Sequence, residues 1–363
     1  MVGVKEDQLL VLIVKPVLGE DMRPQEEHWM DTLQGVFYPA LAVVGIPSNI
    51  ITFLIFWRRN CMLSRSSTFY LMAISVADIL VLVFIVVLEL TVKYHQQEPF
   101  WSHQPWCSLR EIFSYGASNA STWLVVAFTA ERFVAIHTWN IKIRLGNSRS
   151  ALWIITTIFL LSHLLAIPYY WSNASVAISK DNQTRWVCIY KHEAPSHFVH
   201  ALVWAQTLLT YVLPFLIILS LNGLTVRQIS LSNRVHITTG LASGVYRVTP
   251  LLRSRKRRSV VLLMTVSMSF VLLSITRSIT QIILRTTHYY GQDRNNYTLQ
   301  INIAADIGSM LSLSNAAVNM YLYACTQARF RQEYIAYVQQ VFSHCKTSKT
   351  TKTLPNNRLA ICY

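Results

Sequence analysis

Seven long apolar stretches follow one another along the chain, separated by shorter polar segments. Phe37–Trp57, Ile112–Ala130, Ala151–Trp171 and Phe198–Val226 contain no Lys, Arg, Asp or Glu. Thr68–Thr91 carries Asp78 and Glu89, Ser259–Leu284 carries Arg277, and Thr298–Cys325 carries Asp306. A helix of roughly 20 apolar residues crosses a bilayer, so the pattern predicts an all-α fold: a seven-transmembrane helix bundle over residues 36–325. An extracellular amino-terminal segment, 1–35, precedes it. Beyond the seventh stretch, Phe330, Tyr334, Tyr337/Val338 and Val341/Phe342 recur at helical spacing beside Arg329 and Arg331. That spacing predicts a short cytoplasmic amphipathic helix over 326–342, lying at the lipid interface, before a tail of 343–363. No internal repeat or second domain is visible. The run Leu9–Val14 is too short to span and lacks the basic start and cleavage site of a signal peptide, so the first span is expected to serve as the targeting signal.

Composition supports lipid as the solvent. Only 13% of the 363 residues are charged and 52% are hydrophobic, whereas soluble domains carry about a quarter charged residues. The net charge of +15 suggests nucleic acid until its distribution is examined. The segments after spans one, three and five, together with the tail, hold 20 Lys or Arg and a single acid, Glu333; residues 1–35 hold three bases and seven acids. This is the positive-inside pattern. It places the amino terminus of this multi-pass chain outside and assigns the cluster Arg253–Arg258 to a cytoplasmic loop against anionic lipid rather than to nucleic acid. The sequons at Asn173, Asn182 and Asn296 then fall in outer loops as glycosylation candidates, while Asn119 lies within a span. Cys107 opens the third span and Cys188 precedes the fifth, both on the oxidising side. A bond between them would pin the loop 172–197 over the helix ends; two free thiols are the alternative. Cys345, after the basic amphipathic stretch, is a candidate for acylation.

Several short motifs then fall in order. They are Gly45-Ile-Pro-Ser-Asn49, Ser75-Val-Ala-Asp78, Glu131-Arg132-Phe133, Trp153, Pro214, Asn319-Met-Tyr-Leu-Tyr323 and Phe330-Arg331. Taken together over residues 35–340, they resemble the signature positions of the rhodopsin-like (class A) G-protein-coupled receptors. The segment from Asp306-Ile-Gly-Ser-Met-Leu to Asn319, and Leu221-Asn222, resemble the FMRFamide-type neuropeptide receptors and an orphan subgroup that senses aromatic amino acids. The resemblance implies a receptor rather than an enzyme. Its partners would be an extracellular peptide or small aromatic ligand and a heterotrimeric G protein, on which it would promote guanine-nucleotide exchange. Leu313 stands where opsins carry the Schiff-base lysine, and Ser114 where aminergic receptors carry an aspartate, so neither subclass fits.

By the same resemblance, Asp78, Ser121, Asn315 and Asn319 form a central pocket for an allosteric sodium ion. One carboxylate with hydroxyl and amide oxygens suits a small hard cation; a protonated, hydrogen-bonded Asp78 is the alternative. Ionisable groups inside a membrane are functional candidates by default. Glu89, Glu111, Ser114, Tyr115 and Arg277 are therefore candidate ligand contacts, unless Arg277 simply pairs with Glu89 or Glu111. Trp186, Tyr190, Tyr289 and Tyr290 add aromatic stock near the mouth, and His163 reads as a core residue. Glu131, Arg132, Phe133, Asn222, Lys256 and Tyr323 occupy the positions that couple to the G protein. Departures from the family pattern are also clear. Ser274 and Thr276 replace the sixth-span Trp and Pro, removing the usual cause of a kink. Phe270 is retained. Asn222 replaces a tyrosine, Met320 a proline, and Lys256 the acid that often holds the arginine at rest, so ligand-free signalling is expected. A transporter using Asp78, Glu89 and Arg277, or a non-signalling receptor-like scaffold, are the competing functions; the former lacks the paired broken helices of transporters.

Overall fold

The computed structural model describes residues 28–58, 61, 63–88, 100–137, 148–180, 183–190, 196–239, 250–286 and 296–350. Span one is α1 (Trp29–Arg58) and span two is α2 (Arg65–Val81), prolonged by a π-helical turn at Leu82–Val87. Span three is α3 (Trp106–His137) and span four is α4 (Ser148–Ala166), followed by one turn, α5 (Tyr169–Ser172). Strands β1 (Asn173–Lys180) and β2 (Gln183–Tyr190) come next. Span five is α6 (Ser196–Thr207), a π turn at Leu208–Val212 and α7 (Leu213–Thr239). Span six is α8 (Pro250–Thr286), span seven is α9 (Gln300–Thr326), and α10 (Ala328–Thr350) follows.

All seven expected spans are helical; most extend past their apolar stretches, while residues 89–91 of the second lie outside the described residues and the seventh helix starts at Gln300. Helix ends need partners for their free N–H and C=O groups, and the sequence supplies them in polar flanks. Ser64 caps α2, its side chain accepting from the Ser67 amide; Asp31 lies in the first turn of α1, favourable to the helix dipole. Pro250 opens α8 at a position where its missing N–H is harmless. The cluster Arg253–Arg258, expected in a loop, therefore lies on the span-six helix itself. Pro168 closes span four because its ring cannot follow a helical residue without strain.

Among the described residues, five helical stretches are long and apolar enough to cross a membrane: Trp29–Arg58, Arg65–Val87, Ser148–Ser172, His197–Gln228 and Val260–Thr286. Helices α3 and α9 are as long but carry Ser114, Ser118, Asn119 and Ser121, and Asp306, Ser314, Asn315 and Asn319. These two helices present their polar residues to one another's neighbours rather than to lipid. Asn119, Asn315 and Asn319 are buried. Span four is the opposite case, with Trp153, Leu160, Leu161, Leu164 and Leu165 exposed, as a helix facing hydrocarbon must be.

The segment between spans four and five is not an irregular loop. Its strands form an antiparallel hairpin, with Ser175 opposite Cys188 and Lys180 opposite Gln183. Cys107 and Cys188 are disulfide-bonded, their Cα atoms 5.6 Å apart. Gln104 Nε2 and Ser108 Oγ both donate to the Asn173 carbonyl, at 3.3 and 3.1 Å, and Ser175 Oγ donates to the Ser102 carbonyl. The hairpin is thus fastened to the start of α3 at several points.

Two glycines set the distances between spans. A Cβ at Gly45 would lie 2.7 Å from a Leu82 methyl, a flexible neighbour. A Cβ at Gly308 on α9 would lie 2.8 Å from the Arg277 backbone nitrogen and 3.1 Å from the Thr276 carbonyl carbon. Backbone cannot step aside as a side chain can, so overpacking there costs about 1–3 kcal/mol. Gly308→Ala should lower the unfolding midpoint of purified receptor more than Gly45→Ala; equal or reversed effects would show that spans six and seven are not held at this contact. Cys107→Ala should reduce the amount of receptor reaching the cell surface, measured by surface labelling, because losing such a bridge typically removes ~2–5 kcal/mol.

Candidate functional site

At the end of the bundle opposite the hairpin, Glu131 and Arg132 close α3. Arg132 is buried and its Nε and Nη2 donate to the two carboxylate oxygens of Glu131, a two-point charge-assisted pair. Nη2 also donates to Ser64 Oγ at 3.0 Å, and Ser66 Oγ donates to Glu131 Oε1 at 2.7 Å. The capping serine of α2 therefore also holds the arginine of α3. Phe133 is half-buried beside them. The Lys256 side chain lies outside the described residues; the bonds described for Arg132 go to Glu131 on its own helix and to Ser64 before span two.

Spans five and six are joined instead by Asn222. Its Nδ2 donates to Ser267 Oγ at 2.8 Å, and Ser267 Oγ lies 3.1 Å from Asn222 Oδ1. Both residues are buried, and such a bond is worth more where no water competes. Tyr323 is fully buried, with its ring edge-on to Phe56 and Phe330 at 5.6 and 5.7 Å. Phe330 is thereby the anchor of α10 against spans one and seven, and Arg329 and Arg331 stay exposed. The amphipathic helix starts where expected and continues to Thr350; the Cys345 side chain lies outside the described residues.

In the middle of the bundle, Asp78 is fully buried. Ser121 Oγ donates to Oδ1 and Asn319 Nδ2 donates to Oδ2, each at 2.7 Å. Asn49 Nδ2 donates to the carbonyls of Gly45 and Ala316 at 2.9 and 2.6 Å, which ties span one to span seven at the same level. Asn315 stands one helical turn from Asn319, and its Oδ1 is buried without a hydrogen-bond partner. A carboxylate, a hydroxyl and an orphaned carbonyl oxygen one turn from the amide that bonds the carboxylate are the kind of oxygen set a sodium ion takes, so the chemistry of these four residues fits that ion; they would hold it by oxygen contacts alone.

A second polar cluster was not foreseen. Thr210 Oγ1 donates to Asn119 Oδ1 at 2.6 Å, Gln206 Nε2 donates to Thr210 Oγ1 at 2.7 Å, and Asn119 Nδ2 donates to Gln206 Oε1 at 3.3 Å. It sits at the π turn of span five, where Trp123 Nε1 donates to the Leu209 carbonyl at 3.1 Å. The signal was available: Asn119 and Gln206 are amides in otherwise apolar stretches, and a buried amide needs partners on another helix.

At the hairpin end the expected ligand contacts separate into different environments. Ser114 Oγ donates to the Phe84 carbonyl at 3.4 Å, one of the groups in the π turn of span two. Tyr115 stacks on Tyr169 with ring centroids 3.8 Å apart. Glu111 accepts from Arg110 rather than from Arg277. The Arg277 guanidinium lies over the Tyr211 ring, 5.3 Å from its centroid. Asp306 Oδ2 accepts from Gln34 Nε2 at 2.9 Å and from the Tyr297 hydroxyl at 3.0 Å; burial, then the Asp306 charge, push the Tyr297 phenol above its usual range, so it remains a donor. Trp186 lies against His103, ring centroids 5.0 Å apart. His163 packs where Gly116 leaves room for it and is bonded to the Phe159 carbonyl, a packing role as read from the sequence. Glu89, Asn182, Tyr289 and Tyr290 lie outside the described residues, as does the side chain of Tyr190. Asn173 is buried, its Oδ1 3.2 Å from Ser172 Oγ. Asn296 is exposed, with Oδ1 accepting from the Thr298 amide and hydroxyl.

The comparisons with known proteins agree with this architecture. C5a anaphylatoxin chemotactic receptor 1 of Oncorhynchus mykiss is 24% identical over 323 residues, covering 87% of this chain and 84% of that receptor. Probable G-protein coupled receptor 142 of Mus musculus is 25% identical over 328 residues, covering 88% and 76%. Neurotensin receptor type 1 of Mus musculus is 27% identical over 220 residues, covering 58% and 50%. A family model described as "7 transmembrane receptor (rhodopsin family)" matches residues 48–323, most of the chain and every span but the start of the first and the last residues of the seventh. The chain belongs to the rhodopsin family of seven-transmembrane receptors.

Proposed function

We infer that the protein is a plasma-membrane receptor for an extracellular peptide or a small aromatic ligand, and that it acts by promoting nucleotide exchange on a heterotrimeric G protein. The observation that carries this reading is the buried Arg132, paired with Glu131 and braced by Ser64, at the end of the bundle whose flanks hold 20 of the chain's 32 Lys and Arg. Such a clasp can serve as a two-state element: the arginine side chain can leave Glu131 and Ser64, and a bound partner that takes the arginine would favour that state. Relatives named for C5a anaphylatoxin and neurotensin support a peptide ligand. The resemblance to FMRFamide-type receptors and the aromatic-amino-acid-sensing subgroup supports ligands of the same two kinds. Glu89, Glu111, Ser114, Tyr115 and Arg277 are the proposed ligand contacts, Asn296 the accessible glycosylation site, and α10 with Cys345 the lipid-facing anchor.

Ligand-free signalling follows from the balance of two ends of span six. Lys256 stands where the family pattern has an acid that would attract Arg132, and a like-charge pair at a solvated face is worth ~1 kcal/mol, about a fivefold shift in a two-state ratio. The Asn222–Ser267 bond opposes it by holding spans five and six together. Purified or cell-expressed receptor should therefore show GTPγS exchange above a mock control. Lys256→Glu should lower it several-fold, and Ser267→Ala should raise it by a similar factor. Exchange at the mock level, or indifference to both substitutions, would remove this account.

Sodium at Asp78, Ser121, Asn315 and Asn319 is proposed to favour the resting arrangement, because the ion ties the carboxylate of span two to span seven. Raising sodium chloride against a constant ionic strength of choline chloride should then reduce ligand-free exchange in the wild type and leave Asp78→Asn unaffected. A wild type insensitive to the exchange of cations would refute it.

A further inference from the structure

We propose that Ser64 is a phosphorylation site whose phosphate clamps Arg132, so that a protein kinase using ATP silences the receptor directly at its coupling end. The proposal rests on the receptor reading above and names a regulation of that same site. Three serines crowd the start of span two. Ser66 and Ser67 are each 1% exposed, whereas Ser64 is exposed. Ser64 is also the last residue with extended backbone before α2, at φ −67° and ψ 149°, and a kinase takes its target serine from an extended segment. Arg58, Arg59 and Arg65 flank it in sequence, a charge pattern of the kind by which kinases choose substrates. Its Oγ is engaged by the Ser67 amide at 3.3 Å and the Ser67 hydroxyl at 2.8 Å. These are bonds of a helix end, where fraying exposes the hydroxyl.

What sets this serine apart is its neighbour. Arg132 is 7% exposed, yet its Nη2 donates to Ser64 Oγ at 3.0 Å. The same nitrogen, with Nε, donates to Glu131. A neutral hydroxyl is a modest acceptor for a guanidinium. A phosphoserine carries a charge of about −1.5 to −2 at neutral pH and three strong acceptor oxygens, and its bonds to arginine are charge-assisted and commonly two-point. The transfer itself is the ordinary kinase step. Ser64 Oγ bonds to the γ-phosphorus of ATP, the bond from that phosphorus to the β,γ-bridging oxygen breaks, ADP leaves, and the hydroxyl proton passes to the kinase's own carboxylate base.

The charges around the new group decide its effect. Glu131 repels a phosphate, but Arg132 Nη2 is bonded to both residues, so the guanidinium bridges the two anions. Ser66 Oγ donates to Glu131 Oε1 at 2.7 Å and keeps that carboxylate in place. Arg65 follows on the chain, and the amino-terminal end of α2 adds its dipole; both favour negative charge here. The phosphate therefore adds to the hold on Arg132 and does not displace Glu131. A partner that takes the arginine has to break contacts to two anions instead of one, and the equilibrium moves toward the arrangement in which Arg132 is retained.

The test uses full-length receptor in phosphatidylcholine nanodiscs with phosphoserine incorporated at position 64 during translation. Its second ionisation, at about pH 6 in free phosphoserine, is followed by phosphorus NMR. The midpoint should lie roughly half a pH unit or more below that of the same phosphoserine in a peptide, because Arg132 favours the dianion. Arg132→Gln should remove most of that displacement; Arg132→Lys, which serves if the glutamine variant does not fold, should reduce it. Ligand-free nucleotide exchange on purified G protein, with no other protein present, should fall about fivefold and return after phosphatase treatment. In cells expressing the wild type under phosphatase inhibition, phosphopeptide mass spectrometry should place phosphate on Ser64 and not on Ser66 or Ser67. The proposal is overturned if the midpoint equals that of the peptide, if the displacement survives Arg132→Gln or is undiminished in Arg132→Lys, if phosphoserine leaves exchange unchanged, or if Ser64 carries no phosphate in cells. Absence of any exchange by the unphosphorylated receptor sinks the receptor reading alone; the ionisation midpoint and the mass spectrum still decide whether Ser64 is modified and paired with Arg132.

Discussion

The bundle depends on one constraint: a polar group placed in hydrocarbon must find its partner within the protein. Asp78 meets it by drawing Ser121 from span three and Asn319 from span seven onto its two oxygens. Asn49 meets it by taking a carbonyl of its own helix and one of span seven. Because lipid tails are as apolar as the side chains they touch, apolar burial does little to bring helices together here, and polar bonds and close packing decide which helix sits beside which. The central helices α3 and α9 are accordingly the least apolar of the seven.

The same constraint explains where the helices deviate. A π turn leaves a carbonyl without its usual helical donor, and each such turn here is met by a residue of span three, Ser114 at Phe84 and Trp123 at Leu209. The deviation of span five lies just before Pro214, whereas that of span two has no proline. Span six has neither a proline nor a π turn among its described residues and runs unbroken from Pro250 to Thr286. It is braced by Asn222 toward one end and by the close backbone contact at Gly308 toward the other. An unbroken rod held at two places moves as a unit, so the resting positions of its basic end and of Arg277 are set together.

Much of this was legible in the chain. Apolar stretches located the spans because their length and purity are demanded by the bilayer. Asp78 stood out because a carboxylate in such a stretch has to be paired, and Phe330 because helical spacing put it on the apolar face of α10. What was not legible depended on contacts between distant helices. The partner of Glu111 turned out to be its neighbour Arg110, the capping Ser64 reached Arg132, and Asn119 bonded with Gln206 and Thr210; no local pattern specifies which amide meets which hydroxyl. The hairpin was missed because two short strands over a membrane surface carry a weaker period than helices, and the burial of Asn173 follows from that hairpin rather than from its sequon.

Span four turns Trp153, Leu160, Leu161, Leu164 and Leu165 away from the other helices, with Trp153 74% exposed. A liquid hydrocarbon has no fixed shape to match, so it discriminates among Leu, Ile, Val and Phe far less than a packed interior does. On that face, mutations that keep apolarity are nearly invisible to selection, while Gly116 and His163, which fill one another's space on the inward side, are not free to change alone. Most of the outer skin of the bundle can therefore drift while its few internal bonds stay in place. Two such proteins can come to share about a quarter of their residues and still be the same machine.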